Sequence, residues 1–204
     1  MKLLHLDSSI LGDNSVSRVL SSEIVARQVA LHPGIQVTYR DLTADPALHL
    51  SGAHMAAWQG APVQDEALAN DLKNGTDYLA ELFDADIIVI GAPMYNFSIP
   101  SQLKAWIDRV VISGRTFKYS ETGVLETLLP ASKKIIIAST RGNAYQAGTP
   151  QAALEHHESY LKSVFAFLGL KDVTIVRAEG LAFGPDAKNA AISKARSEIA
   201  QIAA

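Results

Sequence analysis

The chain is predicted to fold as a doubly wound α/β sandwich around a parallel sheet, and three observations predict it. Runs of β-type apolar residues alternate with helical patterns along all 204 residues. The run 86–91, Asp-Ile-Ile-Val-Ile-Gly, is unbroken, in the manner of a strand buried on both faces. Polar loops leave the carboxyl ends of three such runs, which is where open α/β sheets gather their ligands.

Taken in order, strands are expected at residues 2–7, 35–40, 86–90, 134–139 and 173–177. Between the first two lies a helix over 17–31. Val19, Leu20, Ile24, Val25 and Val29 recur there at helical spacing, and His32-Pro33-Gly34 stops it. A second helix covers 65–83. A third opens at 101 behind Pro100, whose fixed φ suits a first turn. Two more cover 153–168 and 186–202. Two stretches stand outside the alternation, 43–63 and 114–130. In the second, Thr116-Phe117-Lys118-Tyr119 alternates ahead of Glu121-Thr122-Gly123, as a small hairpin would. Insertions of this length in a compact domain tend to be functional or interfacial.

Composition narrows the function. With 48% hydrophobic residues and no linker, repeat or low-complexity tract, residues 1–204 read as one domain with one core. No cysteine is present, so disulfides, thiolate zinc sites and cysteine nucleophiles are excluded. A net charge of −3 offers no basic footprint for nucleic acid. No run of apolar residues is long enough to span a membrane, and Met1-Lys2 leads directly into a strand, so the expected compartment is the cytoplasm. The six histidines show no metal-ligand spacing. Glu155-His156-His157-Glu158 are neighbours whose side chains would diverge on a helix, so no metal is expected; His156 could face the ligand side of the rim, but a solvated helix face is the expectation for it.

The loops carry the chemistry. A dinucleotide-binding turn needs G-x-G-x-x-G and a P-loop needs G-x-x-x-x-G-K-[ST], and neither occurs. Asp7-Ser8-Ser9-Ile10-Leu11-Gly12-Asp13-Asn14-Ser15-Val16-Ser17-Arg18 follows the first strand instead. This hydroxyl-rich loop runs into a helix N-terminus, where a phosphate can be held by hydroxyls and amides; Asn14 or Ser15 can equally serve as a plain N-cap. The third strand is followed by Pro93-Met94-Tyr95-Asn96-Phe97-Ser98-Ile99-Pro100, with two rings and an amide between prolines. The fourth is followed by Thr140-Arg141-Gly142-Asn143, a Gly-containing turn whose backbone can approach a ligand closely, with Arg141 read as a rim charge. A sheet of order 2-1-3-4-5, flavodoxin-like, brings these loops to one rim, and a phosphorylated planar ring system such as FMN suits all three.

Leu6-Asp7-Ser8-Ser9, Asn14-Ser15-Val16-Ser17-Arg18, Ala92-Pro93-Met94-Tyr95-Asn96-Phe97, Thr116-Phe117-Lys118-Tyr119 and Ala178-Glu179-Gly180 together resemble the bacterial FMN-dependent NADH azoreductases, also described as quinone reductases. The likeness covers essentially the whole chain. It implies that Ser9, Ser15, Val16 and Ser17 hold the phosphate of one FMN per chain. Pro93, Met94, Tyr95, Asn96 and Phe97 would line the isoalloxazine, and Thr140, Arg141, Gly142 and Asn143 would meet its pyrimidine edge. The family's Ser-Arg-Gly-Gly reads Thr140-Arg141-Gly142-Asn143 here, a turn that Asn143 can keep because Asn tolerates positive φ. The resemblance further implies NADH or NADPH as co-substrate, a quinone or azo acceptor, a ping-pong mechanism, and a homodimer with the site at its interface. Phe117 and Tyr119 would then belong to the acceptor wall. Hydride chemistry resides in the cofactor, so no catalytic side chain is expected. His5 is expected to be a satisfied core or edge histidine, and Trp58 and Trp106 to be packing or interface residues.

Three other classes share the fold. A phosphoacceptor domain needs acidic residues at the ends of strands one and three and a lysine after strand five, and only Asp7 answers. A flavodoxin-like electron carrier docks through a dense acidic face, which 21 acidic against 18 basic residues do not supply. It and a general NAD(P)H:FMN reductase are the alternatives to the enzyme reading. A non-catalytic module would leave three polar rim loops without a purpose.

Overall fold

The computed structural model describes residues 1–203. Its main sheet is parallel and five-stranded, β1 (Lys2–Asp7), β2 (Gln36–Asp41), β3 (Ile87–Pro93), β6 (Lys134–Thr140) and β7 (Asp172–Ala178), in the order β2-β1-β3-β6-β7. That is the predicted 2-1-3-4-5 order. β3 is buried at every position, as its Ile-Ile-Val-Ile run requires, and it pairs in register with β1 (Asp7 beside Gly91) and β6 (Pro93 beside Thr140).

Side chains of the central strands alternate between two cores. Leu3, Ile87, Val89 and Ile136 point toward α1 (Val16–Leu31) and α6 (Pro185–Ala200), where Leu20, Ile24, Ala195 and Ile199 meet them. Leu4, Leu6, Ile88 and Ile90 point to the opposite face. There they pack on Leu79 and Leu82 of α3 (Glu66–Asp84), Trp106 of α4 (Ser101–Val110) and Phe165 of α5 (Glu158–Phe167). Burying each Leu or Ile contributes about 1.5–3 kcal/mol, so this double layer dominates the fold's stabilisation.

Both unassigned stretches contain structure. Residues 43–63 hold a short helix, α2 (Gly52–Trp58). Residues 114–130 form the expected hairpin, β4 (Phe117–Tyr119) against β5 (Leu125–Thr127). The helix expected over 153–168 begins later, at Glu158, behind a separate 3-10 turn at Ala152–Leu154. The cause is Glu155, whose carboxylate accepts the amides of His157 (3.0 Å), Glu158 (2.6 Å) and Ser159 (3.1 Å) and so caps a new helix start. No helix among the described residues is long and apolar enough to cross a membrane.

Candidate functional site

The strand order reverses direction between β1 and β3, so the loops leaving their carboxyl ends flank a crevice, with the loop after β6 beside them. Each loop is built differently, yet all three present consecutive backbone N–H groups with no acceptor among the described residues.

In the first loop Ser15 is the N-cap of α1. Its hydroxyl accepts the Arg18 amide at 3.3 Å and lies 3.0 Å from Ser17 Oγ. The capping reading of Ser15 therefore holds. It leaves the amides of Val16 and Ser17 free, because the first intrahelical bond is Val19 N–H to Ser15 C=O. Ser9 and Ser17 are buried beneath this helix start.

The second loop is a tight turn. Tyr95 and Ser98 exchange backbone hydrogen bonds (2.9 and 3.1 Å), and Asn96 and Phe97 between them both take positive φ, 45° and 74°. This is the primed-turn geometry. A positive φ is tolerable for Asn and strained for Phe, at roughly 1 kcal/mol or more. The surroundings hold it: His156 N–H donates to Phe97 C=O at 3.1 Å, Ser98 Oγ donates to His156 C=O at 3.2 Å, and Tyr145 meets the Phe97 ring edge-on. Met94 N–H is spent on Thr140 C=O, so the amides left over are those of Asn96 and Phe97. Tyr95 does not end at the rim. Its hydroxyl lies 3.2 Å from Ser9 Oγ and accepts the Ile10 amide, tying the second loop to the first.

The third loop corrects two expectations. Arg141 is buried, not a rim charge. Its guanidinium is ion-paired with Glu158 and lies 3.6 Å from Glu155 and 3.7 Å from Glu179. Glu158 in turn binds Arg177 at 2.6 Å and accepts Ser139 Oγ–H at 2.7 Å. His156 is exposed, as read from the sequence, whereas its neighbours His157 and Glu158 are buried. Burial would raise the Glu158 carboxyl, but the Arg177 and Ser139 bonds and the Arg141 charge outweigh it and bring it down to about 2. Burial, with the Arg141 charge, pushes His157 down to about 4. The second correction concerns φ: neither Gly142 nor Asn143 takes a positive value, and Asn143 Oδ1 instead accepts the Ala144 amide at 2.7 Å. Arg141 N–H is used by Ala178 C=O, which leaves those of Gly142 and Asn143 free.

The crevice thus gathers Ser9, Ser15, Val16, Ser17, Pro93, Met94, Tyr95, Asn96, Phe97, Thr140, Gly142 and Asn143 around unpaired donors, with Arg141 beneath. It does not gather Phe117 and Tyr119. Phe117 packs on Phe167 with ring centroids 4.8 Å apart, at the end of α5 that leads into the start of β7, away from the strands' carboxyl ends. His5 is a buried histidine bonded to Ser21 Oγ at 3.0 Å, and Trp106 is core, both as read from the sequence. Glu158 and Arg177 escaped sequence reasoning because they lie on separate elements 19 residues apart: the β6–β7 pairing sets Arg177 beside Ser139, and the start of α5 brings Glu158 between Arg177 and Arg141. Among the described residues no group of three or more His, Asp or Glu could hold a metal ion.

Comparison with known proteins agrees with this architecture. The chain is 52% identical over 200 residues to an FMN-dependent NADH:quinone oxidoreductase of Xanthomonas campestris, covering 98% of each. It is 52% identical over 205 residues to one from Methylocella silvestris, covering 100% of each. An azoreductase structure from Bacillus anthracis superposes with a TM-score of 0.85 at 27% identity, covering 98% of this chain and 97% of that one. An FMN-dependent NADH-azoreductase from the same species, in complex with FMN, superposes at 0.85 with 25% identity over 100% and 99% of the chains. A family model described as the flavodoxin-like fold matches residues 1–203, and the chain belongs to that family.

Proposed function

We propose that the protein is an FMN-dependent NAD(P)H oxidoreductase that passes two electrons to a quinone, an azo compound or both by a ping-pong mechanism. The observation that carries the reading is the set of unpaired amides on three converging loops, Val16/Ser17, Asn96/Phe97 and Gly142/Asn143. A phosphate and the polar edge of a flat ring are the acceptors such a set suits, and the donors fit FMN in number and kind. Full-length identity of about half to proteins named for that chemistry supports it.

Ser9, Ser15, Val16 and Ser17 would hold the phosphate at the helix start. Pro93, Met94, Tyr95, Asn96 and Phe97 would face the ring, with the Asn96 and Phe97 amides offered to its polar edge. Thr140, Gly142 and Asn143 would meet the pyrimidine side over the buried Arg141. Bound FMN supplies hydride acceptance from a nicotinamide and its return to an acceptor. The protein's part is to orient the ring, keep water from it and hold donors where negative charge accumulates. The cytoplasm, where nicotinamide reductants are available, is the proposed compartment.

The active species is proposed to be a homodimer. Phe117 and Tyr119 lie away from their own chain's rim, so they can wall an acceptor pocket only in a partner. Tyr119 (58% exposed), Met55 (43%) and Trp58 (41%) are aromatic and Met surface on the two insertions, of the type enriched at interfaces.

The purified protein should carry one flavin per chain, released on denaturation as FMN. NADH oxidation with a quinone should give parallel double-reciprocal lines, and specific activity should fall on dilution as the dimer dissociates in the ultracentrifuge. Release of FAD, intersecting lines or a fully active monomer would each reject the corresponding part.

A further inference from the structure

Arg18 sits one turn into α1, beside the loop proposed to hold phosphate, and its charge invites a role as a phosphate ligand. Its bonding points elsewhere. Nε and Nη2 donate to Ser9 C=O at 3.2 and 2.9 Å. Nη1 and Nη2 form a two-pronged pair with Asp41 at 2.7 and 2.8 Å. Nη2 also reaches Thr43 Oγ1 at 2.9 Å, and Nη1 the Tyr39 hydroxyl at 3.2 Å. A guanidinium has five N–H donors, and these contacts occupy them all. Asp41 is fixed as well, since its Oδ1 accepts Thr43 N–H and Oγ1–H at 2.9 and 2.8 Å. On its other side, the segment Ser9-Ile10 is held by the Tyr95 hydroxyl.

We infer that Arg18 is a positioning residue: with Asp41 and Thr43 at the end of β2, it clamps the Ser9 carbonyl and presets the loop 7–17 for a phosphate it does not itself touch. The Ser9 carbonyl is the pivot. Pulled back onto Arg18, it faces away from the anion, where a free carbonyl would repel it, while its own hydroxyl stays on the Tyr95 side. The charge of Arg18 is balanced by Asp41, so the loop attracts phosphate through amides and hydroxyls rather than a net cation. The inference rests on the phosphate placement proposed above.

The two roles predict opposite responses to removing the Asp41 charge. The FMN-loaded protein is incubated with competing FMN and riboflavin, and the bound ratio is read by chromatography of the released flavins. As a clamp, Arg18→Gln and Asp41→Asn should each lower the preference for FMN by about tenfold, the effect of losing one charge-assisted hydrogen-bond set. Arg18→Lys should fail to rescue it, because one ammonium cannot make the paired contacts. Thr43→Val, the milder lesion, should lower it severalfold and serves if the others do not fold. If Arg18 binds phosphate directly, Asp41→Asn should raise the preference and Arg18→Lys should keep most of it, and either result overturns the clamp. Ser17→Ala separates the premises. An unchanged preference there rejects the phosphate placement, whereas loss there with Arg18→Gln and Asp41→Asn unaffected rejects the clamp alone.

Discussion

Replacing Gly91 by Ala should destabilise the domain by about 3–5 kcal/mol, a large part of the roughly 5–15 kcal/mol a domain of this kind has to lose. Gly91 lies beside Asp7 in the β1–β3 ladder, and the Asp7 side chain leans over it. A Cβ there would fall inside 3.0 Å of Asp7 Oδ1 and lie 3.1 Å from Ser21 Oγ and 3.3 Å from Ser17 C=O. None of these yields freely, because Asp7, Ser17 and Ser21 are all buried. The carboxylate must swing away, which breaks its bonds from Ser21 Oγ–H (2.7 Å) and the Tyr39 hydroxyl (3.2 Å). Weakening bonds to a buried charge and overpacking the ladder each cost about 1–3 kcal/mol, and partial relaxation keeps the total below the maximum sum. Urea titration followed by tryptophan fluorescence and far-UV circular dichroism measures it. Gly142→Ala is the internal control, since its Cβ would meet only Ala182 Cβ at an ordinary 3.5 Å, and it should shift stability by about 0.5 kcal/mol or less. The decisive variant is Asp7→Ala combined with Gly91→Ala: with the clashing carboxylate gone, only the tight contacts to Ser21 Oγ and Ser17 C=O remain, and the second substitution should cost less than half of what it costs alone. A loss under about 1 kcal/mol for Gly91→Ala, or simple additivity in the double variant, would refute the reasoning.

Acid should destabilise the protein in two pH windows. His157 is held down to about 4, below its ordinary 6.5, so the unfolded chain takes up a proton that the folded one refuses. Stability is then complete above pH 6.5 and falls by up to about 3 kcal/mol as pH drops from 6.5 to 4. Glu158, held at about 2, contributes stability above 4.5 that is lost as pH falls toward 2. Urea midpoints at pH 8, 6 and 4.5 read the first window, and a flat profile across them would reject the burial argument for His157. In a separate measurement, added FMN should slow hydrogen exchange at the amides of Val16, Ser17, Asn96, Phe97, Gly142 and Asn143 beyond the general stabilisation. Protection that skips these six positions would reject the proposed donor set.

Much of this is legible in the sequence alone, and the reason differs from element to element. The unbroken Ile87–Ile90 run and the helical spacing of Leu20 and Ile24 report burial directly, so the elements follow from pattern, and the chemistry of the loops selects the sheet order from the two common doubly wound ones. The hairpin announced itself by alternation and a Gly turn. What stayed hidden depends on pairings between distant elements. Arg141 looks like a surface charge in any local window, because nothing nearby in sequence says that Glu158 and Arg177 will enclose it. The late start of α5 has a similar origin: Glu155 reads as one more polar helical residue until its carboxylate is seen capping the next turn. Asn143 misled for the opposite reason, since tolerance of positive φ is a capacity that this turn does not use.

The three rim loops share one physical problem and solve it separately. An exposed backbone N–H is inexpensive, because water satisfies it, but it binds an anion or a ring edge well only if the loop does not have to be ordered at the moment of binding. Each loop is therefore held from beneath by side-chain or main-chain bonds that leave its outward amides alone. Arg18 and Tyr95 hold the first, the His156 backbone and a strained turn hold the second, and the Arg141–Glu158–Arg177 cluster holds the third. Buried ion pairs contribute little net stability because desolvation offsets their attraction, so their concentration under a single loop is poorly explained as reinforcement of the fold. It is well explained as a rigid floor. A charge cluster with fixed partners cannot be repacked by small displacements, and the loop above it inherits that stiffness. The same logic accounts for Phe97, whose unfavourable φ is kept by its bonds to the 156 segment: relaxing the turn would turn the Asn96 and Phe97 amides away from the crevice that the other four face.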